Sequence, residues 1–114
     1  MAVVPFTQIL SLSSSLSSVY TNPSSTISQI GSLLIHNLNT VSETVDIHFV
    51  PNSGGSPGTP VEGNRIFRFV LAAGDSMEFS QKFPWTLSLA NDAIFAKTST
   101  ASKVTMTISG VKNT

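Results

Sequence analysis

The chain has 114 residues, no cysteine, and six Lys and Arg against six Asp and Glu, a formal net charge of zero. That length suits one domain. Scattered, balanced charge offers no basic patch for nucleic acid, the lack of cysteine excludes disulfides and thiolate metal sites, and no run of ~18 apolar residues is present to span a membrane as a helix.

Only 11% of residues are charged, against ~25% in an ordinary soluble domain. Their place is taken by 19 Ser and 12 Thr. A surface wetted by hydroxyls costs less to dehydrate than a charged one, which favours burial against partners.

In chain order, residues 1–11 read as an extended N-terminal arm. Val3, Val4, Phe6 and Ile9 surround Pro5 without a clear period, and the segment lacks the basic start of a signal peptide. A period of two then begins, with Leu10, Leu12, Leu16 and Tyr20 on one parity and serines between. Thr21-Asn22-Pro23-Ser24-Ser25 breaks it as a turn.

Ile27 to Leu38 carries apolar residues on both parities, the mark of a strand that is central or covered on both faces. After a turn over 39–44, Val45, Ile47 and Phe49 alternate with Asp46 and His48, as in a half-buried strand. Pro51 to Pro60 holds three prolines and three glycines, so it reads as an exposed loop.

Arg65, Phe67, Phe69 and Leu71 share one face of the next strand. Ala72-Ala73-Gly74-Asp75 turns the chain into a short strand with Met77 and Phe79, and Pro84 separates that from Trp85–Leu89. Asn91-Asp92 turns again before Ile94–Thr98, and the last strand alternates Val104, Met106 and Ile108 with Lys103, Thr105, Thr107 and Ser109. Roughly eight short strands with turn signals every 8 to 12 residues indicate an all-β protein. The expected architecture is an antiparallel sandwich, jelly-roll-like, over 12–114, with the arm at 1–11.

Chemistry-bearing residues are sparse. His36 and His48 are the only histidines. If their strands form a hairpin with the two directly opposed, Asp46 lies beside them on the same face; a one-residue slip puts the histidines on opposite faces. Even the favourable register lacks the third histidine or cysteine usual for zinc, so no metal and no cofactor is expected.

No Gly-x-Ser-x-Gly elbow is present, and the glycines of 54–58 are not followed by the Lys-Ser/Thr of a phosphate loop. Asp75, Glu78 and Asp92 flank turns, where carboxylates ordinarily accept backbone N–H bonds. The chain is expected not to be an enzyme. Candidate interface residues are Val3, Val4, Phe6 and Ile9 of the arm and the single tryptophan, Trp85, as an anchor or a sugar platform. For Trp85, a place at the edge of the core is the more ordinary reading.

The succession SLSSSLSSVYTNPSSTISQIGSLLIHNLN, TVDIHFVP, RIFRFVLAAGDSMEF and LSLANDAIFAKTSTASKVTMTISGV resembles small virion β-sandwich proteins of tailed bacteriophages. The pattern they share is one of strands and turns, and it covers about residues 10 to 111. The resemblance implies a structural virion protein, foremost a capsid decoration (cement) protein on the particle surface. Its partners would be the major capsid protein or other virion proteins, and it would form a homo-oligomer, with a trimer foremost. A neck, tail, baseplate or head-fibre component remains open, as does a carbohydrate- or receptor-binding module using Trp85, Asp92 and the 51–60 loop.

Overall fold

A computed structural model describes residues 2–114, with the side chains of 81–84 outside the description. The side chains of Lys82 and Pro84 fall among the latter. Eight strands follow in order: β1 Val3–Ser11, β2 Ser17–Thr21, β3 Ile27–Asn37, β4 Glu43–Val50, β5 Arg65–Leu71, β6 Ser76–Leu87, β7 Ala93–Thr98 and β8 Val104–Asn113. A single 3-10 turn, Glu62–Asn64, precedes β5.

Two four-stranded antiparallel sheets result. The first has the order β1-β8-β3-β6 and the second β2-β7-β4-β5. Apart from β4 and β5, every pair of consecutive strands changes sheet, so the chain rolls around the core as in a double Greek key jelly roll. The expected all-β sandwich of about eight strands is what forms.

Its bookkeeping differs in two compensating ways. Residues 3–11, read as an arm apart from the sandwich, are β1, paired with β8 from Val3↔Asn113 to Ser11↔Thr105. Phe6 and Leu10 pack against the core from it. The segments around Met77 and Leu87, read as two strands, are the single β6, an edge strand.

The serine-rich run also resolves into two strands. Ser13 Oγ donates to Ser15 O at 2.6 Å and accepts from Ser15 N at 3.2 Å. A hydroxyl that satisfies nearby backbone in this way replaces ladder bonds and lets the chain turn. It does so between β1 and β2, where the chain crosses from the first sheet to the second.

The core lies between the sheets and includes Ile30, Leu33, Ile35, Val45, Ile47, Ile94, Met106 and Ile108, all fully buried. β3 is central, as expected, but its two-parity pattern has another cause. The register slips between Ile30 and Ser32 against both neighbours. Against β8 the slip is one extra residue in β3, which reverses the facing. Ile30 before it and Leu33 and Ile35 after it all point inward, and Leu34 and Leu38 are left outside.

Candidate interaction surface

Aromatic side chains from the two sheets meet at both open sides of the sandwich. Phe67 of β5 stacks on Phe79 of β6 with centroids 4.1 Å apart, and Trp85 leans on Phe67 at 5.9 Å. On the β1–β2 side, Phe6 stacks on Tyr20, with the Lys112 ammonium 4.9 Å from the Phe6 centroid.

The five expected interface residues therefore divide by parity. Val3 and Ile9 face outward and are 64% and 72% exposed, and Val4 is half exposed at the strand's beginning. Phe6 turns inward, and Trp85 is half-buried against Phe67 at the edge of the core.

The outer face of the first sheet is built from cross-strand rows. Ile9, Thr107, Leu34 and Glu78 form one; Thr7, Ser109, Ser32 and Ser80 the next; Ser11, Thr105, His36 and Ser76 a third. Eight of these twelve residues are hydroxylic and Glu78 alone is acidic or basic by formal charge. His36 Nδ1 lies 2.6 Å from Ser76 Oγ, a cross-strand hydrogen bond of the ordinary kind.

The first 42 residues contain no Lys, Arg, Asp or Glu, so β1, β2 and β3 are uncharged throughout. β1 is also a free edge of its sheet. Edge strands are normally guarded by charged side chains, prolines or brevity. β1 is nine residues long and carries Pro5 alone.

The histidines do not form a pair. β3 lies in the first sheet and β4 in the second, so the hairpin that either register assumed does not exist. His48 sits on the outer face of the second sheet, 3% exposed, with Nδ1 2.8 Å from Asn64 Oδ1. Beside it, Asp46 is equally buried and receives both Arg68 Nε at 2.7 Å and Arg68 Nη2 at 2.8 Å. That bidentate bond, with longer-range attraction from Arg65 and Lys97, outweighs burial and holds the Asp46 carboxyl below its usual value.

Basic residues that look scattered in sequence thus converge. Arg65, Arg68 and Lys97 surround a shallow depression of about 250 Å³ over Asp46 and His48. The signal available beforehand was the outward parity of Asp46 and His48 on a strand whose neighbours were unknown. A second, larger groove of about 410 Å³ lies at one end of the sandwich, between Ile27, Leu89 and the final residues. Among the described residues, no group of three or more His, Cys, Asp or Glu is placed to hold a metal ion.

The remaining carboxylates and amides serve the architecture. Asp92 accepts from the backbone and side chain of Asn52 and from the Leu89 N–H. It pins the 51–60 loop to the turn before β7, and Asn91 Nδ2 adds a bond to Gly55 O. The loop is exposed, as expected, but tethered. Asn37 is fully buried and donates to the carbonyls of Val41, Leu71 and Ala72, so the Asn that ends β3 holds the Ala-Ala-Gly-Asp turn. Tyr20, Ser28 and Asn22 form a buried chain of 2.6 Å hydrogen bonds.

No protein-family model matches the chain, and no curated protein matches it by sequence. Among solved structures, it is similar to a protein of the disulfide-linked pili of Bacillus endospore appendages. The two are 18% identical over 99% of this chain and 87% of that one, with a TM-score of 0.54. The coat protein of Tobacco streak virus, in its dimer, is 14% identical over 98% and 87%, with a TM-score of 0.48. At such identity the likeness to the pilus protein is one of fold.

Proposed function

We propose that this protein is a structural component of a virus particle, and specifically a capsid decoration (cement) protein of a tailed bacteriophage. The observation that carries the reading is β1: a nine-residue free edge without a charge, beside an outer face of hydroxyl and apolar groups. Such a surface is poorly protected against association and cheap to dehydrate. The strand-and-turn pattern described above supplies the phage context. A jelly roll also serves unrelated purposes, so the fold alone does not select this role.

The rigid sandwich would present β1 to a neighbouring chain, whose strand adds to the open ladder. The neighbour is a sister subunit in a closed oligomer, a trimer foremost, or the major capsid protein at a seam of the shell. The protein does no chemistry in this role. With no cysteine in the chain, the disulfide linkage of the similar pilus protein has no counterpart here.

Because β1 belongs to the fold, truncating it is not the test; a charge on its outer face is. Ile9→Lys adds a cation at a position already exposed. It should leave the melting temperature unchanged and reduce attachment to particles at least several-fold. The direct test is the number of copies relative to the major shell protein in purified particles. A ratio near one, or a simple fraction of it, is expected. About a dozen copies per particle would place the protein in the neck, tail or fibre, and none would overturn the virion reading.

A further inference from the structure

We propose that the depression on the outer face of the second sheet is a binding site for a phosphate group, held by Arg65 and Lys97 and read by His48. Lys97 stands opposite Asp46 on β7, and Arg65 opposite His48 on β5. The two cations therefore lie diagonally across the two buried β4 residues. Among the described residues the one ion pair is that of Arg68 with Asp46. Arg65 and Lys97 make no ion pair among the described residues and act on Asp46 only at longer range, both half-buried at the rim of the cavity. Glu62 is the other carboxylate in the lining, so three cations face two anions and the depression has net positive charge.

His48 sets the chemical class. Asn64 is fixed at both ends of its amide, since Oδ1 accepts the Val61 N–H at 3.0 Å and Nδ2 donates to Thr59 O at 3.0 Å. Its Oδ1 is thus an acceptor, and His48 Nδ1, 2.8 Å away, carries the proton. In the neutral ring Nε2 is then an acceptor. It has no protein partner among the described residues. Every buried side-chain nitrogen and oxygen there has a partner, so the unpartnered Nε2 keeps accessible surface, and His48 lines the cavity.

A ligand suited to this site offers negative oxygens to Arg65 and Lys97 and an O–H to Nε2. Monohydrogen phosphate has both. A phosphate monoester has both when singly protonated, with its second pKa near ~6. Against the neutral ring, sulfate and carboxylate ions without an O–H leave the Nε2 lone pair facing an anionic oxygen.

The test is a titration of the isotopically labelled chain, at constant ionic strength, with inorganic phosphate, sulfate, acetate and glycerol 3-phosphate. Backbone amide shifts of Asp46, His48, Arg65 and Lys97 are followed. Saturable shifts with phosphate are expected, with sulfate and acetate at least about tenfold weaker. The double variant R65Q/K97Q, altered at half-buried rim positions, should keep the melting temperature and lose the response. Glycerol 3-phosphate distinguishes the source: binding as tight as inorganic phosphate indicates an esterified group, and weaker binding indicates the free ion. No saturable shift with phosphate up to about 50 mM, an equal response to sulfate, or an undiminished response in R65Q/K97Q would overturn the proposal.

Discussion

The rings of Phe6 and Tyr20 stack at a centroid distance of 5.2 Å, with planes 13° apart, across the opening between the two sheets. Gln8 reinforces the same seam by donating to Val19 O at 2.9 Å. A Phe6→Ala substitution should therefore cost stability, about 1–3 kcal/mol for a half-buried ring with an aromatic partner. Urea unfolding monitored by circular dichroism measures it. An unchanged midpoint would mean that the stack of Phe6 on Tyr20 adds nothing to stability.

The alternation of β4 and β8 is plain in the sequence because each has one parity facing the core and polar groups on the other. β1 hides its alternation, since Val3 and Ile9 on the outer parity are as apolar as Val4 and Phe6 on the inner one. An edge strand whose solvent face is apolar has no period of two in hydropathy. The histidine question failed for a different reason. Parity describes a single strand, whereas facing another residue requires knowing which strands share a sheet, and a jelly roll sends β3 and β4 to different ones. The convergence of Arg65, Arg68 and Lys97 on Asp46 depended on the same missing information.

Glu43 makes acid stability a specific expectation. Burial would raise its carboxyl, but hydrogen bonds from Thr98, Thr100 and Asn39 outweigh that and lower it from 4.5 to about 2. A carboxyl depressed by folding contributes stability that is complete above the unfolded value and is lost as pH falls through the folded one. The loss should thus run from about pH 4.5 down to about pH 2. Glu43→Gln should be less stable at neutral pH by about 1–3 kcal/mol and show a shallower decline over that window. Asp46 and Asp92 are also lowered, so a residual decline remains. Parallel stability–pH curves for wild type and variant would remove Glu43 from this role.

Asn37 tests the turn chemistry. Its Nδ2 group is shared among three carbonyls at 2.9 to 3.2 Å, and its Oδ1 accepts the Asn39 N–H at 2.8 Å. Asn37→Asp keeps the acceptor but replaces the donor with an oxygen directed at the Leu71 and Ala72 carbonyls. It should therefore destabilise at least as much as Asn37→Ala, both by about 2–4 kcal/mol at neutral pH. Thermal unfolding of the two variants decides the order. A milder aspartate would show that the donor side carries little.

Gly110 connects the bulge in β3 to the strand beside it. Gly110 faces Ile30 at the register slip, and a Cβ there would lie 2.2 Å from Gln29 O and 3.2 Å from Ile30 Cα. Both obstacles are backbone, so no rotamer change relieves the clash. Gly110→Ala must move β8 away from β3 or undo the bulge, and undoing it would turn Leu33 and Ile35 outward. The substitution should cost about 2–4 kcal/mol, in the range of overpacked core sites. By contrast Gly31→Ala, on the bulge itself, meets only Ser109 O at 3.9 Å and should cost less than about 1 kcal/mol. Chemical unfolding of both variants provides the comparison. Equal costs would mean that close packing of β8 on the bulge is not what requires glycine at 110.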